Sequence, residues 1–562
     1  MERRVFLAIL LSFVVLIVYQ SQFAPAPPPP ATVPATSATP APSPSAALAT
    51  PAPSPAVAPA APAAKPLVGD AAARDILVET DSATAIFNTR GGVMTSFRLR
   101  HYANASGEPL ELIPSGLPEG AHARPFTVAT DSQSESATLA SALYQPSASQ
   151  LSLGSGSGAL TFEYRDDSGL RATKTITIQQ NGQPYVFKVD ASVDVGGTPR
   201  PVTIAFGPAI GLGYNPAGSS FLAPRAIQSL DGSVKRHEAS AIQSQPRYEG
   251  VLRFAGVEEH YFLAVALPAS AESRVDYSPV VDRIPGDETG ATRSLMTFAV
   301  RPKPAPTPAA TTTMIFFVGP KDFDHLRATD PQLVYAIDFG MFSVIVVPML
   351  QALKWLNRYL GNYGWSIIAL TVLINIIIFP LRHRSMVSMR KMQALQPEMK
   401  AIQERYKKFK ATDPEKQKMN QELMALYKQK GVNPASGCVP MLLTMPILLA
   451  FYNLLGQAIE LRGAPFIGWI HDLSARDPTY IWPVLMGATM FWQQRMTPST
   501  ADPTQQKIFM FLPLVFTAMF LTMPSGLVIY WMVSNLLTIA QQYLTNHLIG
   551  GPPPRVAVPR KA

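Results

Sequence analysis

The chain has 562 residues, of which 47% are apolar and only 15% charged, and its formal net charge is +9. This length predicts more than one structural unit, and the low charge content is atypical of a soluble protein. A single cysteine, Cys438, excludes an internal disulfide and a cysteine-rich metal site.

The N-terminus predicts export of the chain that follows it. Two arginines precede an apolar run from Val5 to Tyr19, which is the pattern of a cleaved signal peptide or of a retained anchor. Prolines surround the candidate cleavage site of small residues, so we favour a transmembrane anchor over residues 1–23. Residues 24–66 are almost entirely Pro, Ala, Ser and Thr and predict an extended tether.

Residues 67–335 predict a large antiparallel β-sandwich outside the cytoplasm. Short runs of alternating apolar and polar residues recur there, separated by Gly, Pro, Asn and Asp. This pattern is typical of strands that bury one face. The runs are Leu160–Tyr164, Thr175–Ile178, Tyr185–Val189, Val202–Phe206, Tyr261–Leu267, Leu295–Val300 and Met314–Val318.

The rest of the chain predicts a polytopic α-helical membrane protein. Some of the candidate spans are shorter than the roughly 20 residues that a bilayer needs. Lys and Arg dominate the segment 382–432 and recur in the tail 547–562, so both are expected in the cytoplasm. The spans lie at about 363–381, 438–455, 480–495, 508–523 and 527–544.

The apolar segment 336–360 needs a separate assignment. The β domain is expected outside and the segment 382–432 inside, so the chain between them must cross the membrane an odd number of times. Residues 336–360 contain Pro348 and the polar residues Lys354, Asn357 and Arg358, whereas 363–381 contain no charge. We therefore predict that 336–360 form an amphipathic helix on the outer interface.

The cytoplasmic segment 382–432 predicts an antiparallel helical hairpin. Apolar residues alternate at spacings of three and four, which is a heptad seam. Thr412 or Asp413 can cap a second helix that begins at Pro414. The seam consists of Met392, Leu395, Met399, Ile402, Tyr406 and Phe409, continued by Met419, Leu423 and Leu426.

The outer face of this hairpin is basic. One interpretation is a solvated face that serves only to fix the topology. The other is a docking surface for an anionic partner such as ribosomal RNA or lipid headgroups. The basic residues that we single out are Arg390, Lys391, Lys400, Arg405, Lys407, Lys408 and Lys410.

Uncharged polar residues occur within three of the candidate spans. Thr371 and Asn375 lie four residues apart, as do Tyr530 and Ser534, so each pair shares one helix face. Interhelical hydrogen bonds, worth roughly 0.6 kcal/mol each, explain any single one of these residues. A shared polar groove in the membrane explains the whole set. The set is Thr371, Asn375, Thr444, Tyr530, Ser534 and Asn535.

Enzyme signatures are absent from the sequence. It contains no HExxH, no GxSxG, no P-loop and no dinucleotide fingerprint, so we predict no catalytic residue, no metal, no cofactor and no small-molecule substrate. No span has a central charged residue, which argues against an ion-coupled pump. A solute transporter would need an inverted repeat with broken helices, which the sequence lacks. A lipid-binding structural scaffold stays as an alternative.

Several segments of the membrane part are distinctive. They are VNPASGCVPMLLTMPILLAFYNLL (432–455), APFIGWIHDLSARDPTYIWPVLMGATMF (464–491) and MPSGLVIYWMVSNLLTIAQQ (523–542), with GNYGWSIIALTVLINIIIFPL (361–381) and LQPEMKAIQERY (395–406). These segments closely resemble the YidC/Oxa/Alb family of bacterial membrane protein insertases. The preceding anchor, tether and β domain are similar in arrangement to the Gram-negative type, whose β-sandwich is periplasmic.

The resemblance implies a fold and a function. It implies a conserved core, 361–546, of five helices around a hydrophilic groove, in an inner-membrane protein with both termini in the cytoplasm. It also implies insertion and folding of nascent membrane proteins, alone or with the Sec translocon. The ribosome and anionic lipids are further implied partners. The six polar residues above fall on or near the groove.

One position departs from the family pattern. The family usually places an arginine in the groove where this sequence has Asn375. An arginine attracts acidic residues of a substrate, whereas an amide offers hydrogen bonds without charge. The sequence therefore predicts weaker electrostatic capture of substrate at this position.

Overall fold

The computed structural model describes most of the chain from residue 65 onward. The predicted anchor 1–23 lies outside the described residues, as do the tether up to residue 64 and the tail from residue 550. The described residues are 65–104, 106–114, 116–117, 122–210, 224–269, 272–283, 292–303, 311–409, 413–431, 439–496 and 503–549.

The chain divides into two compact units. Of the described residues, the smaller unit contains 391–409, 413–431 and 503–511. The larger unit contains the β domain, 363–390 and most of the later helices. The two units are described separately below.

The β domain contains twenty strands in the described residues. They are β1 (Pro66–Val68), β2 (Asp75–Thr80), β3 (Ala83–Asn88), β4 (Val93–Ala103), β5 (Pro109–Glu111), β6 (Thr127–Ala129), β7 (Gln145–Pro146), β8 (Gln150–Gly154), β9 (Gly158–Asp166), β10 (Leu170–Ile178), β11 (Val186–Val195), β12 (Thr198–Pro199), β13 (Thr203–Ala209), β14 (Arg225–Leu230), β15 (Ser233–His237), β16 (Arg247–Glu258), β17 (Phe262–Pro268), β18 (Glu272–Arg283), β19 (Thr292–Pro302) and β20 (Thr312–Pro320). Each of the seven predicted runs lies in a strand, with at most one residue outside it, so the prediction of an antiparallel β domain is confirmed.

The strands form a sheet of five and a sheet of fifteen. The smaller sheet has the order β5-β4-β3-β2-β8, and the main path of the larger is β1-β9-β10-β11-β20-β17-β16-β18-β19-β13-β6. Among the described strands, only β2 and β8 pair in parallel. Along β10, every second residue is buried, as the alternating sequence predicts.

An aromatic core joins the two sheets. Phe126 is fully buried at its centre. Its ring centroid lies 6.4 Å from that of Phe87 on the smaller sheet, and 5.5 Å and 5.1 Å from those of Phe187 and Phe316 on the larger. Rings of this size dominate the apolar area that a core buries, so this cluster holds the sheets together.

Eleven α-helices accompany the strands in the described residues. Three belong to the β domain: α1 (Gln133–Ser141), α2 (Ala239–Ser244) and α3 (Phe323–Thr329). The others are α4 (Ser343–Leu360), α5 (Tyr363–Ala394), α6 (Gln396–Arg405), α7 (Pro414–Gln429), α8 (Val439–Gln457), α9 (Ile481–Met496), α10 (Pro503–Phe520) and α11 (Ser525–Ile549). Within the part of the chain that the structure describes, two helical segments are long and apolar enough to cross a membrane, Gly340–Leu360 and Tyr363–Ala394, and shorter apolar helices run over Met445–Gln457 and Met510–Phe520.

Helix α4 separates a buried side from an exposed aromatic side. Val346, Leu350 and Leu353 are buried, whereas Trp355 and Tyr359 are exposed. The helix ends at Gly361, whose φ of 65° is the left-handed conformation that glycine adopts without strain. The next helix, α5, starts two residues later.

Helix α5 continues beyond the predicted first span. The sequence placed the start of the cytoplasmic segment at residue 382, but the helix runs through to Ala394 without a break. Its 32 residues give a length of about 48 Å, beyond the roughly 30 Å of a hydrocarbon core. A run of basic residues determines which side of the membrane a segment occupies, not where its helix ends. Arg382 therefore lies on α5.

The smaller unit contains the predicted hairpin. Asp413 caps α7 by accepting a hydrogen bond from the backbone N–H of Glu415 at 3.1 Å, and Pro414 begins the helix as predicted. The Tyr427 hydroxyl lies 3.5 Å from the Met399 sulfur, and the Tyr406 hydroxyl donates to Glu422 at 2.7 Å. These contacts pair α6 with α7 in antiparallel order.

The predicted seam is shorter than the sequence suggested. Met392, Leu395 and Ile402 are buried, but α6 ends at Arg405. Phe409 follows in a turn and is 39% exposed. The spacing of three and four was extended over a turn that is not helical, so the seam prediction was wrong at its C-terminal end.

Candidate functional site: a polar cavity among the membrane helices

A cavity of about 330 Å³ lies between α5, α8, α9 and α11, all within the larger unit. Its apolar lining residues are Ile374, Ile378, Met445, Ile447, Leu448, Met490 and Trp531. Its polar lining residues are Asn375, Arg382, Gln493, Gln494, Tyr530, Ser534, Asn535 and Thr538. In the described part of the chain, no carboxylate lines this cavity.

Asn375 and Arg382 form the most strongly polar part of the lining. They are seven residues apart on α5, which is about two turns, so both side chains share one face. The Asn375 side-chain N–H donates to the backbone carbonyl of Thr371 at 2.8 Å. Its oxygen accepts a hydrogen bond from Nη1 of Arg382 at 2.7 Å. The amide that the sequence singled out therefore holds a guanidinium.

The same guanidinium also reaches α11. Nη1 of Arg382 lies 3.2 Å from the Thr538 hydroxyl, and that hydroxyl donates to the backbone carbonyl of Ser534 at 2.8 Å. Arg382 thus bridges two helices that line the cavity. Both contacts are with neutral groups.

Three predicted residues on α11 meet Asn375 at the cavity. Tyr530 stacks its ring on Phe451 of α8, with centroids 4.0 Å apart and planes 11° apart. Asn535 is buried and donates to the Thr489 hydroxyl of α9 at 3.3 Å. Ser534 lines the cavity between them. The structure therefore brings together Asn375, Tyr530, Ser534 and Asn535.

The two predicted threonines differ from this group. Thr371 is fully buried, and its hydroxyl donates to the backbone carbonyl of Ile367 at 2.6 Å. It does not line the cavity, although it shares a face with Asn375. Thr444 lies on α8 directly before the lining residue Met445, and its side chain is outside the described residues.

Sequence reasoning missed Arg382 as a cavity residue. It was assigned to the cytoplasmic segment because it opens a run of basic residues. Its position could have been predicted from the sequence, because Arg382 lies seven residues after Asn375. Residues seven apart are about two turns apart and share one helix face. Gln493 and Gln494, near the end of the predicted span 480–495, were also missed, as was Thr538 within the span 527–544.

A row of polar contacts continues the packing of α5 against α11 beyond the cavity. The side chain of Gln541 donates to the backbone carbonyl of Phe379 at 3.2 Å. His383 lies 3.1 Å from the hydroxyl of Thr545, which is fully buried. Arg390 is hydrogen bonded to Asn546. These contacts fix the orientation of α5 and hence the direction of Arg382.

Asp477 organises the loop that precedes α9. Its carboxylate accepts hydrogen bonds from the backbone N–H of Trp482 at 2.8 Å, from Thr479 at 2.9 Å and from the Trp469 indole at 2.9 Å. Burial alone would raise the pKa of Asp477, but these donors stabilise the anion and hold the pKa below its usual value. The loop is therefore tied to the first turn of α9.

The predicted basic residues of the hairpin are mostly exposed. Arg405 pairs with Glu422 at 2.9 Å, and both side chains are exposed. Arg390 is the exception, because it is half-buried and is hydrogen bonded to Asn546 as above. Lys410 lies outside the described residues. Lys391, Lys400, Lys407 and Lys408 are exposed.

Comparison with known proteins identifies the family. A model described as 60Kd inner membrane protein matches residues 355–550, and one described as YidC periplasmic domain matches residues 75–352. The chain is 37% identical to the membrane protein insertase YidC of Oleidesulfovibrio alaskensis, over 84% of this chain and 86% of that protein. It is 36% identical to that of Citrifermentans bemidjiense, over 98% and 100%. The chain belongs to the YidC family of membrane protein insertases.

Membership in the YidC family confirms the assignment made from the sequence. The β domain falls in the region that the family's periplasmic domain matches, and the cavity falls in the other matched region. A solved structure described as an active YidC insertase with its first transmembrane domain resolved covers 86% of this chain and 95% of its own. Its sequence identity is 18% and its TM-score is 0.34.

Proposed function

We propose that this chain inserts nascent inner-membrane proteins by receiving their hydrophilic segments in the polar cavity. The observation that carries the proposal is the cavity itself, where a guanidinium, amides and hydroxyls line one space among apolar helices. A polar segment in lipid loses its hydrogen bonds to water at a cost of several kcal/mol per unsatisfied group. Groups already oriented toward the cavity replace part of that hydration.

The outer surface of α5 supports the second half of the mechanism. Leu373, Ile376 and Ile377 are exposed on this helix, within two residues of Asn375. An apolar substrate segment can pack on this surface in the lipid while its hydrophilic neighbour stays in the cavity. The substrate then folds as its apolar segment leaves the surface.

The proposed topology has one span at 1–23 and five more, formed by α5, α8, α9, α10 and α11 around the groove. Helix α4 is assigned to the outer interface, although its length also permits a crossing. Lys354 of α4 supports this assignment. Its ammonium lies 3.3 Å from Asp322 and 2.6 Å from Asp324, which begin α3 of the β domain. The predicted domain limits 67–335, 336–360 and 361–546 are retained, with both termini in the cytoplasm.

Partners of the proposed insertase are nascent membrane proteins, the Sec translocon, the ribosome and anionic lipids. The exposed Lys400, Lys407 and Lys408 of the hairpin favour an anionic partner on the cytoplasmic side. No catalytic step is involved.

Site-specific photocrosslinking tests the proposal. A photoreactive residue at position 534, in the cavity, is expected to crosslink the hydrophilic segment of a stalled single-span nascent chain. The matched control is position 514 on α10, where Leu514 is 70% exposed and does not line the cavity. Equal crosslinking of the hydrophilic segment from both positions would contradict the proposal.

Two further experiments distinguish an insertase from a structural scaffold. Depleting the protein is expected to stall insertion of small one- or two-span proteins. Deleting residues 392–430 is expected to reduce insertion as well, whereas a scaffold that only binds lipid would leave insertion intact after the deletion.

A further inference from the structure

We propose that a turn of the β domain, residues 259–261 between β16 and β17, positions the outer ends of α8 and α9, and that His260 makes this contact sensitive to pH on the periplasmic side. The outer ends are the C-terminal end of α8 and the N-terminal end of α9. This inference rests on the proposed function, because both helices line the polar cavity. It gives the β domain a role, which is to hold two cavity walls at a fixed separation.

His260 caps the C-terminal end of α8. The last carbonyls of a helix have no partner within the helix. The carbonyl of Gly456, one residue before α8 ends at Gln457, lies 2.7 Å from Nε2 of His260. The imidazole is packed against the ring of Tyr261, with centroids 4.3 Å apart and planes 87° apart. The β domain therefore supplies the cap of a helix that lines the cavity.

The same turn also contacts the loop that precedes α9. Tyr261 is hydrogen bonded to Ser474, which is buried and donates its hydroxyl to Asp472 at 2.7 Å. The backbone carbonyl of Tyr261 accepts a hydrogen bond from the backbone N–H of Lys321 at 2.8 Å, which fixes the turn to the β domain. Asp477 ties the loop to the first turn of α9, as described above. One turn thus reaches the outer ends of two cavity helices.

Arg462 reinforces the contact from the membrane part. It lies in the segment after α8, and its Nη2 donates to the backbone carbonyl of Ala103 on β4 at 3.0 Å. Its guanidinium lies 5.1 Å from the ring centroid of Phe262, which begins β17 directly after the turn. A cation over an aromatic face is attracted to it. The segment after α8 is therefore held beside the turn, and the outer end of α8 moves with the β domain.

The contact between His260 and Gly456 requires a neutral imidazole. A carbonyl oxygen only accepts hydrogen bonds, so Nε2 carries the proton and Nδ1 is the acceptor. Among the described residues, this Nδ1 is buried and has no hydrogen-bond partner. Protonation of Nδ1 would create a charged donor at a place that offers it no acceptor, which is unfavourable. The buried contact therefore excludes the second proton.

The groups around His260 determine the direction of the pH dependence. Burial lowers the pKa of His260, and the cations Lys321 and Arg225 lower it further. The hydrogen bond to Gly456 and the carboxylate of Glu258 act in the opposite direction without reversing the shift. A released imidazole has its ordinary pKa of about 6.5 and binds a proton below that pH. The contribution of His260 to the contact is therefore complete above about pH 6.5 and is lost as the pH falls.

Glu259 contributes a pH dependence of the opposite sign. Burial raises the pKa of Glu259 to about 7, although Arg462 and Lys321 act against this shift. The ordinary pKa of a released glutamate is about 4.3. The contact therefore gains from protonation of Glu259 as the pH falls through 7. Replacing Glu259 by Gln separates the two groups.

Amide hydrogen exchange of the full-length protein in nanodiscs measures the contact. The readout is the protection factor of the last turn of α8 at about pH 7.5 and about pH 5.5. At the higher pH we expect His260→Ala to lower this protection about fivefold, the effect of one hydrogen bond of about 1 kcal/mol. The wild type should lose protection at the lower pH, toward the level of His260→Ala. His260→Gln keeps an N–H donor that does not titrate, so it should stay protected at both.

Two controls assign the acid-induced loss to His260. Glu259→Gln removes the other group of the turn that titrates near neutral pH, and the loss should persist in this variant. His101→Gln replaces an exposed histidine on β4 and should leave both protection factors unchanged. Unchanged protection in His260→Ala, or an acid-induced loss that persists in His260→Gln, would overturn the inference.

Insertion by the same variants relates the contact to the cavity. We expect His260→Ala to insert a single-span substrate more slowly than the wild type, and His260→Gln to restore the rate. Wild-type insertion by a His260→Ala protein whose α8 has lost protection would overturn the inference, because the contact would not position the cavity walls. A wild type that inserts no substrate would instead refute the proposed function, and the exchange data would still decide whether the contact exists. Should His260→Ala not assemble, the wild type and His260→Gln at the two pH values decide.

Discussion

Lys174 is a buried ammonium without an anionic partner. Its Nζ donates to the backbone carbonyls of Gly91 at 2.9 Å and Phe126 at 2.8 Å, and it lies 5.6 Å and 5.9 Å from the ring centroids of Tyr144 and Phe162. Burial lowers the pKa of Lys174 to about 7. The β domain thus contains a group whose charge state changes close to neutral pH.

The stability of the β domain should therefore depend on pH in a defined direction. The pKa of Lys174 is lower in the folded than in the unfolded chain, so the unfolded chain binds more protons between about pH 7 and 10. Its unfavourable contribution then shrinks as pH rises. We expect the free energy of unfolding of the wild type, relative to Lys174→Met, to rise by up to about 1.4 kcal/mol per pH unit in this window.

Denaturation of the full-length protein in detergent at several pH values measures this difference. The control is Lys235→Met, which replaces an exposed lysine of the same domain. Parallel pH profiles for the wild type and Lys174→Met would refute the assignment of the slope to Lys174.

At the scale of elements, Glu258 joins three strands and a loop. It ends β16 and is 1% exposed. Its oxygens lie 2.8 Å from Arg225, 2.9 Å from Arg236 and 2.9 Å from Lys321. Burial would raise the pKa of Glu258, but these cations hold it below its usual value. Arg236 also donates to the backbone carbonyl of Ala336 at 2.9 Å, in the segment between α3 and α4.

Removing this carboxylate should destabilise the domain strongly. Glu258→Gln leaves three cations near one another without an anion. We expect a loss of about 3–5 kcal/mol in the free energy of unfolding, which is typical when one partner of a buried ion pair is removed. Thermal denaturation in detergent measures the effect. Glu249→Gln, at an exposed position of the same strand, should change the stability little, and an equal loss in both variants would argue against the role of the cluster.

Elements differed in how far the sequence determined them. Seven strands of the β domain were located because alternation along a strand is a local property, as in β10. The order of the strands in the sheet was not predicted, because pairs such as β14 with β16 join residues that lie some thirty positions apart in the sequence. The cap at Asp413 was found for a local reason as well. The extension of α5 to Ala394 was not predicted. The basic residues indicate on which side of the membrane the segment lies, but they do not show where the helix ends.

The candidate site shows the same division. Asn375, Tyr530, Ser534 and Asn535 were found because a polar residue in an apolar span is unusual. Thr371 has the same pattern, yet its hydroxyl bonds its own helix, an option that sequence spacing does not exclude. Arg382 was missed because it is the first of the basic residues that the positive-inside rule places in the cytoplasm. That rule already accounted for its charge.

At the scale of the whole molecule, the hairpin unit presents most of the exposed basic residues that the sequence singled out. Lys400, Lys407 and Lys408 are exposed on it. Two other lysines of the unit are in ion pairs, Lys418 with Glu415 at 2.6 Å and Lys430 with Glu398 at 3.0 Å. The unpaired members form the surface best suited to an anionic membrane or to RNA.

Replacing Lys400, Lys407 and Lys408 together by Gln should weaken binding to anionic vesicles. Each lysine near an anionic surface contributes about 1 kcal/mol, and salt screens the attraction over about 10 Å at 0.1 M. Binding of the protein in neutral nanodiscs to anionic and to zwitterionic vesicles, at two salt concentrations, measures this. Lys418→Gln is the control within the same unit. Unchanged binding by the triple variant would favour the alternative that the basic face of the hairpin is solvated and serves only to fix the membrane topology.

The place of Arg382 on α5 also affects how this helix itself enters the membrane. An arginine at the centre of a span costs about 2.5–3.5 kcal/mol during insertion, and the cost falls toward the ends. With Asn375 at the centre and Arg382 directly after Leu381, the helix keeps an uncharged middle and still carries a cation to the cavity. The same residue also begins the basic run that we expect on the cytoplasmic side. One side chain therefore contributes to the biogenesis of the protein and, in our proposal, to the insertion of its substrates.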